Sequence, residues 1–218
     1  MPLYNRVNGR VLKERMRSLP EKRVTISFYK YHQISDPQEF RDKVYRELES
    51  MDILGRIYIA YEGINAQISI PEKTIDSFRN YLNSISILQN IRLNIAIQDD
   101  GKSFFKLKIL VRKKIVADGL DDNTFDVTNS GVHVNALEFN RLADDANTVI
   151  VDMRNHYESE VGRFRNAICP DVDTFREELQ HVEDLMKDQK NKNLLMYCTG
   201  GIRCEKASAW MKHQGFKN

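Results

Sequence analysis

The sequence has 218 residues, enough for one large domain or two small ones, and its 41% hydrophobic and 29% charged residues are the balance of a folded globular chain. No apolar run approaches the ~20 residues of a membrane span, and Met1-Pro2-Leu3-Tyr4-Asn5-Arg6 lacks the apolar core of a signal peptide, so no membrane is expected and the cytoplasm is the default location. A net charge of +2 gives no general attraction to nucleic acid, and three cysteines, Cys169, Cys198 and Cys204, make no disulfide framework.

Charge is nonetheless segregated. Residues 6–23 hold Arg6, Arg10, Lys13, Arg15, Arg17, Lys22 and Arg23 against Glu14 and Glu21. Residues 24–34 are rich in β-branched and aromatic side chains and read as a strand. Asp36-Pro37-Gln38-Glu39 then carries a helix start, with Asp36 as cap, Pro37 at the first helical position and Glu39 closing the box. Phe40, Val44, Leu48 and Met51 follow at helical spacing. Strands are expected over 55–60 and 66–70, joined by Tyr61-Glu62-Gly63-Ile64-Asn65, where Gly63 and Asn65 supply permissive backbone for a turn. Pro71 opens a second helix with Ile75, Phe78, Leu82 and Ile85, and Ile91 to Ile97 alternates as a half-buried strand. The order β-α-β-β-α-β is the split βαβ pattern of an α+β, ferredoxin-like domain, placed at residues 1–98 with two helices on one face of a four-stranded antiparallel sheet.

Residues 99–130 read as a connector. Its first part is extended and basic: Lys102, Lys106, Lys108, Arg112, Lys113 and Lys114 occur with no acid among them. Asp121 to Ser130 is polar and turn-rich, and acid concentrates in Asp118, Asp121, Asp122 and Asp126. The six cations either attract a polyanion or form a solvated face.

Residues 131–218 read as a second domain. Asn135 caps a short helix with Glu138 at its third position, and Thr148-Val149-Ile150-Val151-Asp152 is the nearly all-apolar strand of a parallel sheet. Ala167-Ile168-Cys169 suggests a further short strand, and Thr174 to Asp188 a helix with Phe175, Leu179, Val182 and Met186 on one side. Leu194-Leu195-Met196-Tyr197 is a buried strand, and Glu205 to Lys212 a helix. Alternating strands and helices define an α/β domain with a parallel sheet, whose ligands sit outside the carboxyl ends of the strands.

Cys198 lies at such an end. Thr199, Gly200, Gly201 and Ile202 follow it, and Arg203 opens the helix. Two glycines let the loop curl so that N–H groups converge on one spot, the helix N-terminus adds partial positive charge, and Arg203 adds a full one. A thiol there ionises more readily than a free cysteine. Cations belong at helix C-termini, so Arg203 wants an anion nearby. Cys204 either resolves an oxidised Cys198 or packs in the first helical turn, and adjacent helical residues diverge, which favours packing.

Cys198-Thr199-Gly200-Gly201-Ile202-Arg203 resembles the active-site loop of the rhodanese superfamily, with the C-x4-R spacing of its sulfur-carrying members. The longer string Met196 to Lys206, with Ala60-Tyr61-Glu62-Gly63-Ile64-Asn65-Ala66 and Val151-Asp152-Met153-Arg154-Asn155, resembles the rhodanese-domain proteins that act as oxygen-dependent tRNA uridine hydroxylases, and the resemblance covers nearly the whole chain. It implies hydroxylation of the wobble uridine to 5-hydroxyuridine, with Cys198 catalytic, Asp152 and Arg154 scaffolding the loop, tRNA as substrate and molecular oxygen as co-substrate. The basic residues 102–114 then become candidate tRNA contacts. No zinc spacing, iron triad or nucleotide-binding glycine motif is visible, so no metal or bound cofactor is expected. The alternatives are a sulfurtransferase carrying a cysteine persulfide on Cys198, or a non-catalytic tRNA- or protein-binding module. A rhodanese domain normally continues past this helix with another strand and helix, and many such hydroxylases carry a longer C-terminal region. The end at Gly215-Phe216-Lys217-Asn218 therefore implies a domain cut short or completed differently.

Overall fold

The computed structural model describes residues 3, 7–18, 21–97, 99, 101–121 and 123–217. Arg6, Asp122 and the side chain of Arg17, parts of the charged runs above, lie outside that description. Two compact units divide the chain, Met1–Ile115 and Val116–Asn218.

In the first unit, α1 (Gly9–Ser18) precedes β1 (Arg23–Tyr31), α2 (Pro37–Ser50), β2 (Leu54–Ala60), β3 (Gly63–Pro71), α3 (Ile75–Ser84), β4 (Asn94–Ile95) and β5 (Leu107–Val111). The sheet order is β4-β1-β3-β2-β5. The first four strands pair antiparallel, as the split βαβ reading requires, with Arg23 opposite Pro71 and Tyr31 opposite Gly63. Asp36 caps α2 as its sequence implies, accepting from the N–H groups of Gln38 and Glu39 at 3.0 and 2.8 Å. Val44, Leu48, Phe78 and Leu82 bury against Ile26, Ile57, Ile59, Ile68 and Ile70 of the strands. Burying each such side chain contributes about 1.5–3 kcal/mol.

Three expectations change in this unit. The expected strand at 91–97 pairs only at Asn94–Ile95, and Ile97 is 89% exposed. Asn65 is not in the turn: only Tyr61 and Glu62 separate β2 from β3, and Asn65 sits in the ladder opposite Tyr29 and Tyr58. Its amide and the Glu62 carboxylate instead hold the backbone of Ile115, at 3.1 and 2.7 Å. Finally, the expected connector supplies a fifth strand. β5 lies parallel to β2, with Gly55 opposite Leu107, and buries Leu107 and Ile109 while Lys108 faces out.

Gly63 has φ 147, and a Cβ there would overlap the Lys30 carbonyl oxygen. Gly63→Ala must therefore push β1 and β3 apart. It is expected to cost about 3 kcal/mol of stability, read as a lower urea midpoint with an unchanged slope.

The second unit contains α4 (Ala136–Ala143), β6 (Thr148–Asp152), α5 (His156–Val161), α6 (Phe175–Met186), β7 (Asn193–Tyr197) and α7 (Ile202–His213). β6 and β7 are parallel, with Asp152 opposite Tyr197. The short strand expected at 167–169 reduces to a single bridge from Ile168 to Val151. Val151, Met153, Phe175, Leu179, Val182, Met186, Ala207 and Met211 form the core.

The second unit begins before Gly131. Val116 and Leu120 pack on its core, and Phe125 meets Trp210 with centroids 5.3 Å apart. Lys206 and Asp118, both with fully buried side chains, pair at 3.1 Å. The Lys206 ammonium also lies 5.3 Å from the Phe125 ring.

Candidate active site at the cysteine loop

β7 ends at Tyr197, and Cys198 is the next residue. The turn into α7 is made by Gly201, whose φ of 89 favours glycine. Gly200 meets no such demand, since a Cβ there would touch nothing within 4 Å, so one glycine rather than two shapes the loop. α7 begins at Ile202, which places Arg203 and Cys204 in its first turn.

The Gly201 N–H donates to Cys198 Sγ at 3.1 Å. The thiol of Cys204 also donates to this sulfur. That bond is the largest cause of a Cys198 pKa pushed down to about 5, against the opposing effect of burial; the N–H groups of Cys204 and Gly200 and the charge of Arg203 follow. Cys204 thus packs against the core and also turns to Cys198. Its own pKa is raised well above the ordinary thiol value, first by the bond to Cys198 and then by burial, so it stays protonated as the donor.

Arg203 finds its anion in Glu158. Its guanidinium donates to both carboxylate oxygens, at 2.8 and 3.2 Å, and to Thr199 Oγ1 and Asn155 Oδ1 at 3.3 Å. Thr199 donates its hydroxyl to Glu158. Glu158 also accepts from the Asn155 N–H at 3.3 Å, so one carboxylate joins the start of α5 to the loop. Burial raises its pKa, but the bonds from Arg203 and Thr199 outweigh this and hold it below the ordinary value.

Asp152 and Arg154 pair with each other, the guanidinium donating to both carboxylate oxygens at 2.8 and 2.7 Å. Tyr197 donates its hydroxyl to Asp152 at 2.7 Å, and burial with that bond pushes its pKa up to about 12. The Arg154 guanidinium lies 5.3 Å from the Tyr197 ring. Beneath this, Glu178 on α6 is fully buried, and neither carboxylate oxygen has a hydrogen-bond partner among the described residues. Burial pushes its pKa up to about 8; Arg203 opposes, and Asp152, Cys198 and Glu158 add to it.

The structure therefore gathers Cys198, Thr199, Gly200, Gly201, Ile202, Arg203, Asp152 and Arg154 in one unit. The basic stretch belongs to the other. Lys106, Lys108, Arg112 and Lys113 are exposed there, on or beside the edge strand β5, while Lys102 and Lys114 are half-buried. Arg112 lies 5.6 Å from the Tyr58 ring. Sequence reasoning missed Glu158, Glu178 and the bonding of Tyr197. Asn155 followed three residues later by Glu158 was a readable cap signature, but nothing in it points to Arg203. Among the described residues no group of three or more His, Cys, Asp or Glu side chains could hold a metal ion, and no helix is long and apolar enough to cross a membrane.

Cys198 thus lies between a parallel strand and a helix and accepts from the Gly201 N–H, and residues 135–218 match the family described as rhodanese-like domain. Residues 23–115 match the family described as UPF0176 acylphosphatase like domain. Both matches fall on this one chain, in that order. It is 55% identical over 98% of its length to a protein of Enterobacter sp. (strain 638) named tRNA uridine(34) hydroxylase, 62% of which is covered. Proteins of the same name from Leptospira interrogans and Pectobacterium atrosepticum are 52% and 56% identical over 100% and 99% of this chain, and 59% and 61% of each is covered. The chain thus spans about three-fifths of the length of these relatives. The solved dark-state structure of the BLUF protein BlrB aligns over 44% of this chain and 76% of that chain, with a TM-score of 0.33 and 14% identity, too weak a likeness to bear on fold or function.

Proposed function

We propose that the protein is a tRNA-modifying enzyme that hydroxylates the wobble uridine to 5-hydroxyuridine, with molecular oxygen as co-substrate and Cys198 as its reactive group. The relatives' shared name supports the reaction. The observation that carries the site is a half-buried thiol at the carboxyl end of a parallel strand, accepting from the Gly201 N–H at 3.1 Å. The chain's own part is to keep that sulfur ionised at neutral pH, through Cys204 and the loop N–H groups, and to fix the loop through Glu158. Mass spectrometry of bulk tRNA from a deletion strain tests the reading. Loss of 5-hydroxyuridine derivatives, restored by the wild-type gene and not by Cys198→Ser, supports it; unchanged hydroxylation with reduced thiolation indicates sulfur transfer instead.

Lys102, Lys106, Lys108, Arg112, Lys113 and Lys114 serve in this reading as tRNA phosphate contacts. Cations on phosphates release counterions, so affinity falls steeply with salt. Changing Lys106, Lys108 and Arg112 to Ala is expected to weaken tRNA binding uniformly across sequences. The salt slope should flatten by up to about one unit per lost contact, while Cys198 alkylation stays unchanged. An edge strand also needs charge to resist pairing with other chains. Unchanged affinity and slope, with increased light scattering, would reduce these residues to that role.

A further inference from the structure

Tyr197 does more than precede Cys198. Its hydroxyl accepts from the Phe164 N–H at 3.3 Å, and its ring stands edge-on to Phe164, with centroids 4.7 Å apart and an interplanar angle of 83°. Phe139 packs against Phe164 at 4.6 Å and meets the Tyr197 ring edge-on at 6.5 Å, so the three rings form one cluster. Phe164 is thus gripped by two rings, yet it remains 47% exposed. A second aromatic side chain, Tyr157 on α5, is 62% exposed. Its neighbour Glu158 bonds Thr199 and Arg203, so both aromatics are tied to the cysteine loop, one through Tyr197 and one through Glu158.

Two cations adjoin them. Arg163 and Arg165 flank Phe164, both exposed, and neither has an ion pair among the described residues. Of the nearby carboxylates, Asp152 pairs with Arg154 and Glu158 with Arg203, while Glu160 and Asp171 both contact His156 at 3.2 Å. A half-exposed ring packed against two others and flanked by two arginines, with a second exposed ring on α5, suits a ligand with flat faces and a negative backbone. Single-stranded RNA has both: its unstacked bases lie on aromatic side chains, and its phosphates meet arginine.

We propose that Phe164 and Tyr157, with Arg163 and Arg165, form a stacking surface for unpaired bases of an RNA loop beside Cys198. The proposal rests on the reading that the substrate is RNA and names the part of this chain that receives it. Duplex RNA hides its base faces, so the surface selects a single-stranded loop, where a wobble base lies.

The test compares binding of a short uridine-containing RNA hairpin with that of a blunt duplex of equal charge, by fluorescence anisotropy, using the full 218-residue chain. Wild type is expected to prefer the hairpin. Phe164→Leu keeps an apolar side chain against Tyr197 but has no ring face, and is expected to weaken hairpin binding between about 5-fold and 100-fold while leaving duplex binding unchanged. Phe164→Trp is expected to retain affinity. Tyr157→Ala should act like Phe164→Leu, and Arg163→Ala with Arg165→Ala should weaken both RNAs. Cys198 alkylation at neutral pH, unchanged in Phe164→Leu, reports an intact loop. Phe164→Leu binding the hairpin as tightly as wild type overturns the proposal, as does a wild type that binds hairpin and duplex equally; in either case the RNA reading itself survives. A wild type that binds neither RNA removes the RNA reading and this proposal together. Displacement of the hairpin by a polyglutamate peptide equally from wild type and Phe164→Leu marks a charge patch for acidic proteins, and also overturns it.

Discussion

Cys198→Ser is expected to abolish turnover while leaving the fold intact, because a hydroxyl fits the loop but stays protonated at every working pH. The wild-type thiol should alkylate with a rate that rises through a midpoint near pH 5 and is flat by pH 7, where about 99% is thiolate. Cys169 should lag at pH 7, since burial, followed by the charge of Asp152, raises its pKa. Cys204 should lag further for the reasons given above. Mass-resolved alkylation distinguishes the three. Equal rates at pH 7 would remove the activated thiol, and with it the site.

Glu178→Gln should produce the second large effect, one of stability against pH. A carboxyl raised from 4.5 to about 8 on folding stays protonated in the fold while the unfolded chain ionises. Its contribution to stability is therefore fully present below the unfolded value of ~4.3 and is lost as pH rises toward about 8. The loss approaches about 5 kcal/mol at the top of that window. Cys198 acts with the opposite sign: its depressed pKa gives stability present above ~8.5 and lost as pH falls toward about 5. The two partly cancel in the wild-type curve, so the informative quantity is the difference between Glu178→Gln and wild type. That difference should be near zero at pH 4 and grow in the variant's favour up to pH 8, measured as urea midpoints across the range. A difference independent of pH would mean that Glu178 is ionised and compensated in the fold.

What was legible in the sequence followed from range. The strand, loop and helix around Cys198 are contiguous, and Asp152 and Arg154 are two residues apart, so motif and geometry coincide. The bond between Glu158 and Arg203 spans 45 residues and leaves no pattern in either segment. Leu107 and Ile109 alternate with Lys106 and Lys108 as an edge strand requires, so the extended form of β5 was readable. Its parallel partner β2 was not, because the pairing depends on where the chain returns after α3 and β4. The unit boundary was placed too late for a related reason. A polar, turn-rich stretch reads as a linker, and the few residues that anchor it, Asp118, Leu120 and Phe125, are too sparse to show a period. Gly200 and Gly201 are identical as letters; only the backbone angle at Gly201 distinguishes the one that turns the chain.

The buried pair of Asp118 and Lys206 determines where this chain can be divided. A fragment starting at Gly131 would contain every residue of the cysteine loop and still lose the counter-charge of a lysine in the same helix as Arg203. Removing one partner of a buried pair costs about 3–5 kcal/mol, a large share of a small domain's stability. A fragment starting at Val116 keeps the pair, together with Leu120 and Phe125. A protease nick between Gly119 and Gly131 would act like the shorter fragment once the released strand of chain dissociated, disabling the thiol without touching it.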